Sequence, residues 1–186
     1  MDESNLFIFT IEVVGTIAFA ISGIRLAAAK RFDWFGAYVV GLVTAIGGGT
    51  LRDVLLATPV FWMQNSMFLL VTFISLVAVI VFRRALVGGM RTLFIFDAIG
   101  LALFVVVGIE KSFASGYPAW VAIVMGIITG SFGGVTRDIL INEAPLFFKK
   151  DIYATACLAG GVVYWLVDFI PGIPQVIPQS ACAVAV

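Results

Sequence analysis

Two dipeptides of one kind carry most of the chemistry this chain offers. Arg52-Asp53 follows Gly47, Gly48, Gly49 and Thr50, with Leu51 between; Arg137-Asp138 follows Gly133, Gly134 and Thr136, with Val135 inside the run. Both pairs interrupt long apolar stretches, where ionisable side chains are costly and usually mark an ion or substrate path. Three chemistries follow from them. A polar cavity across a membrane would use the pairs to set its electrostatic barrier. A lock would pair Arg52 with Asp138 and Arg137 with Asp53, tying two halves of the molecule together. An aspartyl dyad would need Asp53 and Asp138 to share one proton. The dyad is the weakest of the three, because an adjacent arginine keeps each carboxylate ionised. No enzyme is expected.

Other reactive groups are few. The chain has no histidine, which removes Ser-His hydrolysis, His-ligated zinc and imidazole relays. Cys157 and Cys182 lie in apolar surroundings and make neither a disulfide framework nor a metal site, so they are expected to pack in the core. No cofactor and no nucleic-acid partner are implied.

Composition decides what kind of element must hold these residues. Of 186 residues, 62% are hydrophobic and 12% charged, with mean hydropathy +1.13, whereas a soluble domain carries about 25% charged residues. Apolar segments at 6–24, 34–56, 67–82, 93–109, 119–141 and 152–170 approach or reach the ~17–25 residues that span a bilayer. Strand-like alternation is absent, so the class is an all-α polytopic membrane protein rather than a β-barrel. A last apolar piece, 176–186, contains Pro178 and is the start of a seventh helix. The acidic N-terminus, with Glu12 inside the first apolar run, reads as a retained helix and not as a cleaved signal.

Basic residues give the orientation. Arg25, Lys30 and Arg31 follow the first segment, Arg83, Arg84 and Arg91 the third, and Lys149 and Lys150 the fifth. The opposite set of loops holds Lys111, beside Glu110. This asymmetry places the N-terminus outside. The clusters at Arg83/Arg84 and Lys149/Lys150 are candidates for contact with anionic lipid headgroups.

The chain also repeats itself. A shift of 85 residues aligns 9–55 with 94–140 without a gap, with 15 identities over 47 positions. Gly48/Gly133, Gly49/Gly134, Arg52/Arg137 and Asp53/Asp138 all coincide, and Glu12 falls on Asp97. Each copy contains three helices, over 6–85 and 91–170, so the second copy must enter the membrane from the opposite side. Such inverted repeats place a site near the midplane, where the halves meet.

The apolar run from 34 to 63 is too long for a straight helix across ~30 Å of hydrocarbon. A bend or break is expected at the glycines of 47–49, and again around Gly133 and Gly134. The competing role for these glycines is close helix packing, of which Gly126 to Gly130 offers a small-xxx-small example. Within the membrane, Glu12, Asp53, Asp97 and Asp138 outnumber Arg52 and Arg137, a balance that favours cations in any lumen they share.

The duplicated "GGGTLRD" and "FGGVTRD", set in a small 3+3 inverted repeat, resemble the trimeric intracellular cation channel family, in particular its short prokaryotic members. The resemblance covers essentially the whole chain. It implies seven helices, a homotrimer in the prokaryotic plasma (inner) membrane, and a pore through each protomer lined largely by the kinked second and fifth helices. It further implies permeation of potassium and other monovalent cations such as sodium. Pore or gating roles then fall on Gly47, Gly48, Gly49, Thr50, Arg52, Asp53, Gly133, Gly134, Thr136, Arg137 and Asp138, with Glu12 and Asp97 as pore-mouth acids. Similar sequences also carry a glycine-transporter-like label, which leaves a carrier of a small solute such as glycine as the alternative.

Overall fold

The computed structural model describes residues 3–82, 90–149 and 151–186. Arg83, Arg84 and Lys150, three of the four candidate headgroup contacts, lie outside the described residues. Helix α1 (Glu3–Ala29) is followed by α2 (Trp34–Leu55), the one-turn α3 (Phe61–Gln64) and α4 (Met67–Val81). The second half brings α5 (Met90–Ala114), α6 (Ala119–Leu140), the one-turn α7 (Leu146–Lys149) and α8 (Asp151–Asp168), and α9 (Val176–Ala185) closes the chain. Among the described residues the structure is helices and their connections, as the lack of strand alternation requires.

Among the described residues, four stretches are long and apolar enough to cross a membrane: Leu6–Ala29, Trp34–Leu55, Leu93–Ala114 and Ala119–Leu140. The apolar helices Met67–Val81, Tyr153–Asp168 and Val176–Ala185 are shorter. At 1.5 Å per residue, α4 reaches about 22 Å, so the four long helices set the thickness of the bundle and α4 falls short of it. The four long helices form the centre, α4 packs on α1 and α2, and α8 packs on α6 and α9. Large apolar side chains such as Leu70, Phe73 and Ile74 on α4, Trp165 and Leu166 on α8, and Phe169 just past its end, are exposed. Lipid tails solvate such a surface as well as a protein core does, so contacts between helices must come from close packing and polar groups.

Close packing is where the glycines act. A side chain at Gly48 would overlap the carbonyl oxygen of Thr129, and one at Gly133 would overlap that of Thr44. These contacts are exchanged by the 85-residue shift: 44 maps to 129 and 48 to 133. Residue numbers rise along α2 as they fall along α6, so the two helices cross antiparallel about a pseudo-two-fold axis. Phe19 and Phe104 repeat the relation between α1 and α5, their rings stacked with centroids 5.4 Å apart. An inverted repeat is the arrangement that generates this symmetry.

Of the bend or break expected at the glycines, a break in the helix is not there. The helical hydrogen bonding of α2 runs unbroken from Trp34 to Leu55 and that of α6 from Ala119 to Leu140. The long apolar run is divided further on, after the Arg-Asp pair. Ala57 takes φ 54° and its repeat mate Asn142 takes φ 57°, turning the chain into α3 and α7. The Thr58 N–H donates to the Asp53 carbonyl and the Glu143 N–H to the Asp138 carbonyl, at 2.9 and 2.8 Å. Glycine is therefore used for proximity between helices, and the chain reverses at non-glycine positions.

Candidate functional site

Each long helix of the α2/α6 pair ends in its own arginine. Among the described residues, Arg52 and Arg137 are the bulkiest fully buried side chains, 0% and 1% exposed, and because α2 and α6 are antiparallel they sit at opposite ends of the pair. A cation in the last turn of a helix is favoured by the macrodipole, but burial at this depth requires direct partners.

In the first cluster, Arg52 Nε donates to Asp53 Oδ1 at 2.8 Å, and Nη2 lies 2.7 Å from the same oxygen. Glu12 Oε1 is more distant, 3.8 Å from Nη2, and is approached to 2.6 Å by Lys111 Nζ. The Phe61 ring lies beneath both cations, 5.7 Å from Arg52 Cζ and 5.3 Å from Lys111 Nζ, within cation–π range. Asp53 uses its other oxygen, Oδ2, to accept the Phe61 N–H at 2.9 Å. One carboxylate thus neutralises the arginine and caps α3.

The second cluster repeats this core. Arg137 Nε donates to Asp138 Oδ1 at 2.8 Å, and Asp138 Oδ2 accepts the Leu146 N–H at 3.0 Å, capping α7. Around it the bonding is denser. Arg137 Nη1 donates to Asp97 Oδ1 and, at 2.8 Å, to Ser22 Oγ. Asp97 also accepts from Ser22 Oγ at 3.1 Å and from the Tyr153 hydroxyl at 2.9 Å.

The paired lock across the halves does not form. Each arginine binds the aspartate next to it and the acid of the first helix of its own repeat, so Asp53 and Asp138 stand at separate sites with no shared proton. Glu12 and Asp97 belong to these buried clusters, 6% and 4% exposed. Thr50 Oγ1 donates to the Ile46 carbonyl at 2.7 Å and accepts the Trp62 indole N–H at 2.9 Å; Thr136 Oγ1 donates to the Phe132 carbonyl at 2.9 Å. Gly47 lies against Gly133, a Cβ at 47 standing 3.7 Å from its Cα. Gly49 and Gly134 differ: a Cβ at 49 would meet the Phe61 ring at 2.6 Å, whereas at 134 the nearest atom is an Arg137 nitrogen at 3.6 Å. Gly134 borders a cavity of about 20 Å³ beside Asp97, Arg137 and Tyr153.

Several of these partners escape a reading of the sequence. Lys111 reads as a loop residue, yet it lies on α5 and reaches Glu12. Ser22 is one hydroxyl in an apolar helix and carries no signal of its own. Tyr153 is signalled only by extending the 85-residue shift beyond 140, which places it on Phe68. A third polar cluster was equally hidden: Glu110 accepts from the Tyr164 hydroxyl and, at 2.7 Å, from Gln179 Nε2, tying α8 and α9 to α5.

Comparison with known proteins agrees with this geometry. A family model described as Glycine transporter matches residues 9–84 and again 94–168, start points separated by the same 85-residue shift. The UPF0126 inner membrane protein YadS of Escherichia coli (strain K12) is 42% identical over 161 residues, 86% of this chain and 78% of that one. A UPF0126 membrane protein of Vibrio cholerae is 43% identical over 166 residues, 88% of this chain and 69% of its own. The trimeric intracellular cation channel orthologue from Rhodobacter sphaeroides has the same fold, with TM-score 0.90 and 34% identity over 96% of this chain and 92% of that one. The twice-matching family model, the bacterial relatives and the shared fold place the chain in one family, that of the prokaryotic trimeric intracellular cation channels.

Proposed function

We propose that the protein is a monovalent cation channel, permeable to potassium and sodium, with a pore through each protomer along the α2/α6 pair. The observation that carries this reading is the placement of Arg52-Asp53 and Arg137-Asp138 at opposite ends of that antiparallel pair, in a fold shared with a cation channel orthologue at TM-score 0.90. Charge supports a cation as the permeant species. The first cluster sets two basic groups, Arg52 and Lys111, against two acidic ones; the second sets Arg137 against Asp97 and Asp138. Neither cluster carries the excess of positive charge that an anion path calls for. The protomers assemble as a homotrimer in the prokaryotic inner membrane, the N-terminus and the Arg52 cluster on the outer side and the Arg137 cluster on the inner. Gly47 to Thr50 and Gly133 to Thr136 supply the close α2/α6 wall of the pore, and Lys149 with its basic neighbours meets anionic headgroups.

A carrier of a small zwitterion is the second reading, favoured by the description of the matched family model and by paired charges able to meet both ends of such a solute. Purified protein in a planar bilayer separates the two. Unitary currents carried by potassium are expected; saturable exchange of glycine without unitary current would replace the channel with a carrier.

A further inference from the structure

The two one-turn helices correspond under the repeat, and so does the surface left uncovered around them. The 85-residue shift places α3 on α7. Neither is long enough to persist alone, because a first helical turn fixes several dihedrals for one hydrogen bond. Each is held by the aspartate near the end of the long helix before it, which accepts the Phe61 N–H in one case and the Leu146 N–H in the other. Phe61 also packs edge-on against Phe68 of α4, with ring centroids 4.6 Å apart. Around these fixed points, large apolar side chains are exposed to the same degree at both ends. Val54 and its repeat mate Ile139 are 60% and 63% exposed, and Met63 and its mate Phe148 are 70% and 74%. Leu55 and Leu140 repeat the pattern. Whatever covers these side chains therefore does so at both ends of the molecule. A soluble partner on one side of the membrane would call for such a surface once, whereas lipid meets both ends alike. Each elbow also joins helices whose own exposed surface is apolar, α2 to α4 at one end and α6 to α8 at the other.

Height decides what that lipid must do. Gly47 lies against Gly133, and Leu55 and Leu140 end their helices eight and seven residues beyond that crossing. At 1.5 Å per residue the two ends that carry the elbows stand about 22 Å apart along the pair. The apolar α4 has about the same length, and both fall short of the ~30 Å of hydrocarbon in a typical bilayer. We propose that α3 and α7 are a pair of membrane-interface anchors that seat Met63 and Phe148 in the headgroup–acyl boundary of opposite leaflets and hold the bilayer beside them thin. A short apolar height is met by local thinning at a modest cost per Å. Gln64 closes α3 and Lys149 closes α7, neutral at one boundary and basic at the other, the asymmetry that the two membrane faces carry. Thinning brings the boundary toward the buried Arg52 and Arg137, which lowers the cost of holding charge at that depth. The inference rests on the inverted repeat and is independent of what crosses the pore.

The test places a nitroxide spin label at Met63→Cys or Phe148→Cys, with Phe73→Cys near the middle of α4 as the control. The full chain is reconstituted in phosphatidylcholine bilayers; Cys157 and Cys182 are fully buried and stay unlabelled. At 63 and 148, collisions with lipid-dissolved oxygen are expected to exceed those with a water-soluble nickel chelate severalfold, by a smaller ratio than at 73. Lengthening the acyl chains from dimyristoleoyl to dieicosenoyl is expected to raise the ratio at 73 and leave it unchanged at 63 and 148, because the anchors carry the boundary with them. An excess of nickel collisions at 63 and 148 would mean that water covers both sites and would overturn the anchors. Protection from both reagents would put a neighbouring protomer there and overturn them equally. A ratio at 63 and 148 that climbs with chain length as it does at 73 would show that the bilayer is not held thin, and the proposal would fail. Should a label disturb its one-turn helix, Val54→Cys and Ile139→Cys read the same two boundaries from the long helices, with the same outcomes.

Discussion

Asp53 and Asp138 each perform two tasks with one carboxylate, and the surroundings decide how much each loss costs. Replacing either by alanine leaves an arginine Nε and a short-helix N–H without acceptors. Removing one partner of a buried ion pair costs about 3–5 kcal/mol. Arg137 would keep Asp97 and Ser22, whereas Arg52 would keep only Glu12, at 3.8 Å. Asp53→Ala is therefore expected to lower the thermal unfolding temperature in detergent more than Asp138→Ala does; the reverse order would show that Glu12, itself held by Lys111, is partner enough for Arg52. The acids and arginines of both clusters, Glu12, Arg52, Asp53, Asp97, Arg137 and Asp138, stood out in the sequence as charges in apolar runs, but their pairing did not. Side chains at i and i+1 do not face each other along a helix, which made partners across the repeats look necessary. At the last turn the long arginine side chain folds back over the helix end and reaches its neighbour, a freedom that helical periodicity does not describe.

At the scale of elements, the glycines sort by what lies opposite them. Gly48→Ala and Gly133→Ala drive a methyl into a backbone carbonyl of the facing helix, and neither helix can yield without separating the α2/α6 crossing. Gly134→Ala meets no atom closer than 3.6 Å and gains up to ~1 kcal/mol of helix propensity. Gly48→Ala is thus expected to unfold at lower temperature and Gly134→Ala at the same or higher temperature, read by thermal denaturation monitored by circular dichroism. A Gly48→Ala protein as stable as wild type would mean that the crossing is loose. Six apolar segments and their repeat were legible because period and charge report membrane spans directly. A break at 47–49 could not be told from close packing, because a glycine run lowers helix propensity and permits close approach alike, and the sequence does not say which is used. Thr129 and Thr44 decide it, and they lie on another helix.

The whole molecule has one symmetry, and it carries a test independent of ion flow. Residues 30 and 115 are equivalent under the 85-residue shift, so parallel halves would expose both on one side of the membrane and inverted halves on opposite sides. Lys30 follows α1 and Ser115 follows α5; both are exposed. Lys30 is paired with Glu143 across the halves, at a surface position, where such a pair contributes little, about 0–1 kcal/mol. Lys30→Cys should therefore leave the fold intact, and Ser115→Cys removes only a bond to the Lys111 carbonyl. The native Cys157 and Cys182 are fully buried and give a low background. With the loop charges as they stand, an impermeant thiol reagent applied to intact cells is expected to modify the cysteine at 115 and, at the α3/α4 turn, that of Asn65→Cys, while sparing the one at 30. Inverted membrane vesicles should give the opposite pattern. Opposite-side labelling with the sides exchanged would keep the inverted repeat and reverse the assignment of the Arg137 cluster to the inner face. Same-side labelling of 30 and 115 would contradict the antiparallel crossing of α2 and α6, and with it the pore along that pair.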